Sequence, residues 1–166
     1  MYCCKARRAE VQDKKRKSLP VHTMSDARRA CLAMLARREH SQQELQKKLT
    51  KKEFPADEIE SVLQEFVEKR IQSDERFCEA YMRSRLRQGF GPQRIQMELQ
   101  ERGVASELIA TYLENYAEEF QQSVREVFHK KFGEQPSSDF SSRAKQQRFL
   151  QYRGFSGDYI RSFFDS

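Results

Sequence analysis

The sequence contains no tryptophan, only four prolines and six glycines among 166 residues, and no long apolar run. Scarce proline and glycine leave few forced breaks. Together with abundant Gln, Glu, Arg and Leu, which lose little rotamer freedom in a helix, they point to an all-α protein. No stretch approaches the roughly 18 apolar residues needed to cross a bilayer, so no membrane span is expected. The amino-terminal charge is not followed by the apolar core of a signal peptide, which argues against secretion. The four cysteines, at 3, 4, 31 and 78, fit neither paired CxxC metal sites nor a disulfide framework, and a cytoplasmic location is expected. His22, His40 and His129 are scattered with no ligand cluster around them, so neither metal nor cofactor is expected. The phosphate-binding loop, the nucleophile elbow and H-E-x-x-H are all missing, and Ser41 beside His40 suits helix capping better than nucleophilic attack. The chain is not expected to be an enzyme.

Charge is plentiful, at 34% of residues, against 37% hydrophobic, which suits an elongated body with a thin core. The net charge of +6 is concentrated at one end. Residues 1–25 hold seven Lys or Arg against Glu10 and Asp13, and residues 26–166 are nearly balanced, with 24 basic and 23 acidic side chains. The arm 1–25 reads as a solvated basic tail, and Met24 offers an internal start just before the patterned region.

The dominant feature is a repeat. A shift of fifty lays Leu45, Leu49, Phe54, Ile59, Leu63 and Phe66 on Ile95, Leu99, Val104, Ile109, Leu113 and Tyr116, and a shift of fifty-one carries the ladder on to Leu150, Phe155, Ile160 and Phe164. A period near fifty built of helical segments is the signature of stacked modules. Each module reads as three helices, over 26–72, 73–117 and 118–166. In the first, Cys31, Leu32 and Leu35 form an apolar stripe. Ser41 and Glu44 form a capping box, and Pro55 opens a helix burying Ile59, Val62, Leu63 and Phe66. In the second, Ser73 and Asp74 start a helix that Gly89 can end, Pro92 opens the next and Gly103 closes it, and Ser106 caps the third. In the third, the first helix aligns at a shift of 46, and Gly133 to Asp139 form a longer loop. Such an array, closed at its ends, is expected to be a monomer.

Charge is sorted by helix type. Middle helices carry Lys47, Lys48, Lys51, Lys52, Arg94, Arg102, Lys145, Arg148 and Arg153, whereas third helices carry Asp57, Glu58, Glu60, Glu65, Glu68, Glu107 and Glu114. If like helices line one side, the molecule presents one basic and one acidic edge. Arg83, Arg87, Arg94, Lys145, Arg148 and Arg153 are the candidate contacts to phosphate or to an acidic protein surface, because guanidinium forks bind either anion bidentately. Ion pairing with neighbours such as Glu79 competes with that reading. Tyr152, between Arg148 and Arg153, is a candidate for base stacking.

Three segments carry a family resemblance: CLAMLARREHSQQEL (31–45), SDERFCEAYMRSRLRQGFGPQRIQMELQERGV (73–104) and AKQQRFLQYRGFS (144–156). They resemble, in order and spacing, the RecX family of regulators of the RecA recombinase, over residues 26–166. The resemblance implies three tandem three-helix repeats in a curved, elongated monomer. It also implies binding to the RecA–DNA filament, with suppression of filament growth, ATP hydrolysis and strand exchange in DNA repair and the SOS response. A competing reading makes the units helix-turn-helix-like modules that bind single- or double-stranded DNA directly. The near-neutral array argues against it, since nonspecific DNA affinity depends on neutralised phosphates. A generic helical adaptor is the third alternative.

Overall fold

The structure, a computed structural model, describes residues 23–165. Most of the basic arm, with Cys3, Cys4 and His22, lies outside the described residues. Nine helices and no strand are present among the described residues: α1 (Met24–Leu35), α2 (Gln42–Lys51), α3 (Ala56–Glu68), α4 (Asp74–Arg87), α5 (Pro92–Gln100), α6 (Ser106–Asn115), α7 (Ala117–Phe132), α8 (Phe140–Tyr152) and α9 (Gly157–Phe164). They form three tandem three-helix repeats.

Capping follows the sequence in part. Ser41 and Ser73 accept from the backbone N–H groups of Glu44 and Arg76, and Pro92 opens α5 as expected. Two expectations are corrected. The Ser41–Glu44 capping box is one-sided, because the Glu44 carboxylate turns away to His40, Arg38 and Arg102. The reciprocal box sits instead at Thr23 and Asp26, so α1 begins at Met24. Ser106 is the first residue of α6 and not its cap; Ala105 holds that position without a side-chain hydrogen bond.

Each trio closes on an apolar cluster, the second of which also takes in Phe120 of α7. Leu45 and Leu49 pack with Ile59, Val62, Leu63 and Phe66; Ile95 and Leu99 with Phe77, Met82 and Ile109; Leu150 with Val124, Phe128, Phe155 and Ile160. The repeat ladder is therefore the core. Leu32, expected on the buried stripe of α1, is 50% exposed, because the side of α1 that faces the cluster carries Ala27 and Cys31. The second and third clusters share Tyr159, whose ring meets Phe120 edge-on at 6.2 Å. The first and second share no residue, and the bonds between them are polar.

Besides the packing of α7 on α4 and α6, the middle helices meet at their ends. The amino end of α5 rests on the carboxyl end of α8: Gly91 N–H donates to the Arg153 carbonyl at 2.9 Å and Gln93 N–H to the Gly154 carbonyl at 3.0 Å. Likewise the Ser41 hydroxyl, while capping α2, donates to the Arg102 carbonyl beyond α5 at 2.7 Å. At the α8–α5 joint, amide and carbonyl groups that a helix leaves unpaired at its termini thus answer one another across units, and at the α5–α2 joint a side-chain hydroxyl takes the amide's place. The close approach requires glycine. A Cβ on Gly154 would fall 2.4 Å from the Arg94 Cβ and 2.7 Å from its backbone N, and one on Gly103 would fall 2.7 Å from the Gln43 side chain. Both glycines also have positive φ, +90° and +77°. The corresponding residue after α2 is Glu53, in the same left-handed region at 64° but exposed, with no further unit docked upon it.

Candidate binding interface

Joined end to end, α2, α5 and α8 form a row, and the row carries most of the cations singled out above. The candidates divide into two groups. Arg87, Lys145 and Arg148 are exposed and make no hydrogen bond or ion pair among the described residues. Lys145, Arg148 and the 81%-exposed Tyr152 lie at i, i+3 and i+7, on one face of α8. Lys48, Lys51 and Lys52 at the far end of the row are similarly exposed and unpaired.

Arg83, Arg94 and Arg153 are engaged within the fold. Arg83 lies 2.7 Å from Glu79 and donates to the Tyr116 hydroxyl at 3.0 Å. Arg94 pairs with Glu98 at 3.2 Å and stacks over Phe90 at 4.3 Å. Arg153 donates to the Gln88 carbonyl at 3.0 Å and lies 5.4 Å from the ring centres of both Phe90 and Phe149. These three tie helices or units together, so reversing their charge would strain the fold as well as any interface. Lys130 and Lys131, absent from the sequence-derived set, stand beside Arg87 and Arg153 around the cleft between α4, α7 and α8. As basic residues in the last turn of α7 they read as ordinary compensation of a helix terminus. Their alignment with Ser84 and Arg85 at a shift of 46 was the available signal.

The first junction is an ion-pair network. Glu44 receives Arg38 at 2.9 Å, His40 Nδ1 at 2.8 Å and Arg102 at 3.4 Å. Glu98, 8% exposed, receives Arg85 at 2.7 Å, Arg94, and the Tyr81 hydroxyl at 2.7 Å. Burial works to raise both carboxyl pKa values, but the hydrogen bonds and positive charges outweigh it and hold them below the ordinary range. Burial of His40 lowers its pKa more than the Glu44 hydrogen bond raises it, which keeps the imidazole neutral with Nδ1–H donating to Glu44. Glu39–Arg76 at 2.8 Å and Gln42 N–H to Asp74 at 2.9 Å complete the seam. Cys31 and Cys78 are buried free thiols whose pKa burial pushes up to about 11, which leaves them unreactive.

Three end-joined helical trios with the cations gathered on the middle helices define a helical-repeat protein that presents an extended charged surface. Models of the first, second and third three-helix domains of RecX match residues 27–66, 73–113 and 117–164, in that order. The Regulatory protein RecX of Pseudomonas fluorescens is 38% identical over 138 residues, which covers 83% of this chain and 89% of that protein. That of Legionella pneumophila is 38% identical over 141 residues, covering 85% and 94%. The crystal structure of RecX from Lactobacillus salivarius superposes with a TM-score of 0.73 at 20% identity, over 86% of this chain and 94% of that one. The chain belongs to the RecX family, whose named members are regulatory proteins. No helix among the described residues is long and apolar enough to cross a membrane.

Proposed function

We propose that this chain is a noncatalytic, monomeric, cytoplasmic modulator of the RecA recombinase, which binds the RecA–DNA filament and suppresses its extension, ATPase and strand exchange. Family membership across the whole repeat array supports the recombinase as partner. The observation that carries the mode of binding is the row of unpaired cations on α2 and α8, with Arg87 at the end of α4. A rigid row of individually weak charges gains affinity by engaging several sites at once on a repeating polymer, without any single strong site. We take 26–72, 73–117 and 118–166 as the three units.

The unpaired cations also favour a second reading, direct attachment to nucleic acid, because charges not consumed within the fold are available to phosphates. A titration of the protein against bare single-stranded DNA and against the same DNA coated with RecA, at matched salt, separates the two. Preference for the coated DNA is the expected result. Lys145→Glu with Arg148→Glu should leave helicity unchanged and raise the concentration needed to inhibit RecA ATPase by about tenfold, since both side chains lack internal partners. Unchanged inhibition by a folded double variant places the contact elsewhere and defeats the proposed edge.

A further inference from the structure

The two junctions between units are built from corresponding residues but are charged differently. A shift of 46 carries Ser84 and Arg85 of α4 onto Lys130 and Lys131 of α7, and a shift of 51 carries Glu98 and Arg102 onto Phe149 and Arg153. A cleft opens at each junction, of about 370 Å³ at the first and about 390 Å³ at the second. At the first, the lining arginines Arg38 and Arg102 meet Glu44, and Arg85, off the cleft wall, meets Glu98. At the second, the counterpart of Glu98 is Phe149 and the counterpart of Glu44 is Arg94. Arg85 and Arg102 have cationic counterparts in Lys131 and Arg153, Ser84 gives way to Lys130, Arg38 gives way to Gln88, and both carboxylates are lost.

The second cleft is therefore lined by Arg87, Lys130, Lys131 and Arg153 against one acid, Glu126, which itself accepts from Gln122 at 2.8 Å. Arg87, Lys130 and Lys131 have no partner among the described residues, and Arg153 spends one N–H on the Gln88 carbonyl. Leu86, Val127 and Phe149 supply an apolar wall beside them. Like charges around one cleft repel, and an arriving anion relieves that repulsion.

We propose that this cleft binds a phosphomonoester carried on a nucleoside, either a free mononucleotide or the phosphorylated end of a strand. The first junction needs two carboxylates to answer its arginines. A phosphomonoester brings a charge of about −1.5 to −2 and three acceptor oxygens in one group, whereas an internal phosphodiester or a single carboxylate brings one charge. The nucleoside ring takes the apolar wall, and the volume lies within the range of small-ligand pockets. This inference goes beyond the regulator reading and stands on the junction geometry alone.

Calorimetric titration of the full chain with inorganic phosphate, dAMP, a 5′-phosphorylated oligonucleotide and the same oligonucleotide lacking that phosphate tests it. Saturable binding of dAMP, or of the phosphorylated strand at least about tenfold tighter than the unphosphorylated one, is expected, and which of the two binds tells the source. Lys130→Ser with Lys131→Ala, both exposed and unpaired, should weaken binding at least about tenfold with unchanged circular dichroism. Arg37→Ala with Arg125→Ala removes the same charge elsewhere and should have little effect. Phe149→Glu, which restores the carboxylate of the first junction, should also abolish binding. The proposal is overturned if no phosphomonoester binds, if the two double variants weaken binding equally, or if a glutamate-rich peptide binds more tightly than every phosphate probe. Inhibition of RecA ATPase, measured on the same variants, reports on the regulator reading independently.

Discussion

At the scale of single residues, the positions after the middle helices carry the most consequence for their size. Gly154 must hold a positive φ and leave room for the backbone of Arg94, two demands that no other residue meets. Gly154→Ala should cost at least about 2 kcal/mol, combining left-handed strain with overpacking, read as a lowered urea midpoint at unchanged slope. Glu53 occupies the equivalent backbone conformation without a docked neighbour, so Glu53→Gly should cost nothing and stabilise by up to about 1 kcal/mol. Equal responses at the two sites would mean that the joint does not depend on close approach. Sequence periodicity identified the buried anchors Leu45, Leu99 and Phe155 because they recur in a local pattern. It could not foresee that Leu32 is exposed, since the direction in which α1 turns its face is set by where α3 lies.

Among elements, the seams between units matter more than the helices. Arg94 and Glu98 are four residues apart on one helix, and that pairing was available to a sequence reading. Arg102 and Glu44 are brought together only by the end-to-end contact of α5 with α2, which no local pattern encodes. The same holds for the cleft at the second junction, whose character rests on a loss of acids visible only once the units are compared. Protonation should open the first seam, which ion pairs hold, before the second, which backbone hydrogen bonds and the Tyr159–Phe120 contact hold. His40 is held below its ordinary pKa, so the unfolded chain takes up a proton near pH 6.5 that the fold refuses, and stability falls from there downward. Glu44 and Glu98 are also depressed, so their contribution is complete above about pH 4.3 and is lost as pH falls through their folded values. Thermal melts from pH 8 to pH 3 should show two successive declines, and His40→Gln should remove the first while sparing the second. A single decline confined below pH 4.3 in the parent would exclude the histidine from the seam's balance.

For the whole molecule, the three-trio architecture was legible in the sequence, and the arm preceding it was separable by charge. The cap at Thr23 was not, because its partner Asp26 lies inside what the apolar stripe alone marked as the helix approach. A chain starting at Met24 keeps every helix but loses the Thr23 hydroxyl and the reciprocal bond to Asp26. It should fold and still inhibit RecA ATPase at physiological salt, with a loss of about 1 kcal/mol from the missing cap. A chain starting at Thr23 should recover part of that loss. If the chain starting at Met24 folds but does not inhibit, the activity belongs to the basic arm.

The end-to-end joints also give the molecule a direction. At each joint a helix's partially negative end abuts the partially positive end of the next, so the interior poles cancel as in bar magnets laid in line. Only the outermost poles survive: a positive one where α8 begins, under the Asp139 cap, and a negative one where α2 ends, beside Lys48 and Lys51. Acid therefore marks one tip of the row and lysine the other. The two orientations along a directional polymer are therefore not equivalent, and if the filament reading proposed above holds, one of them is expected to be preferred.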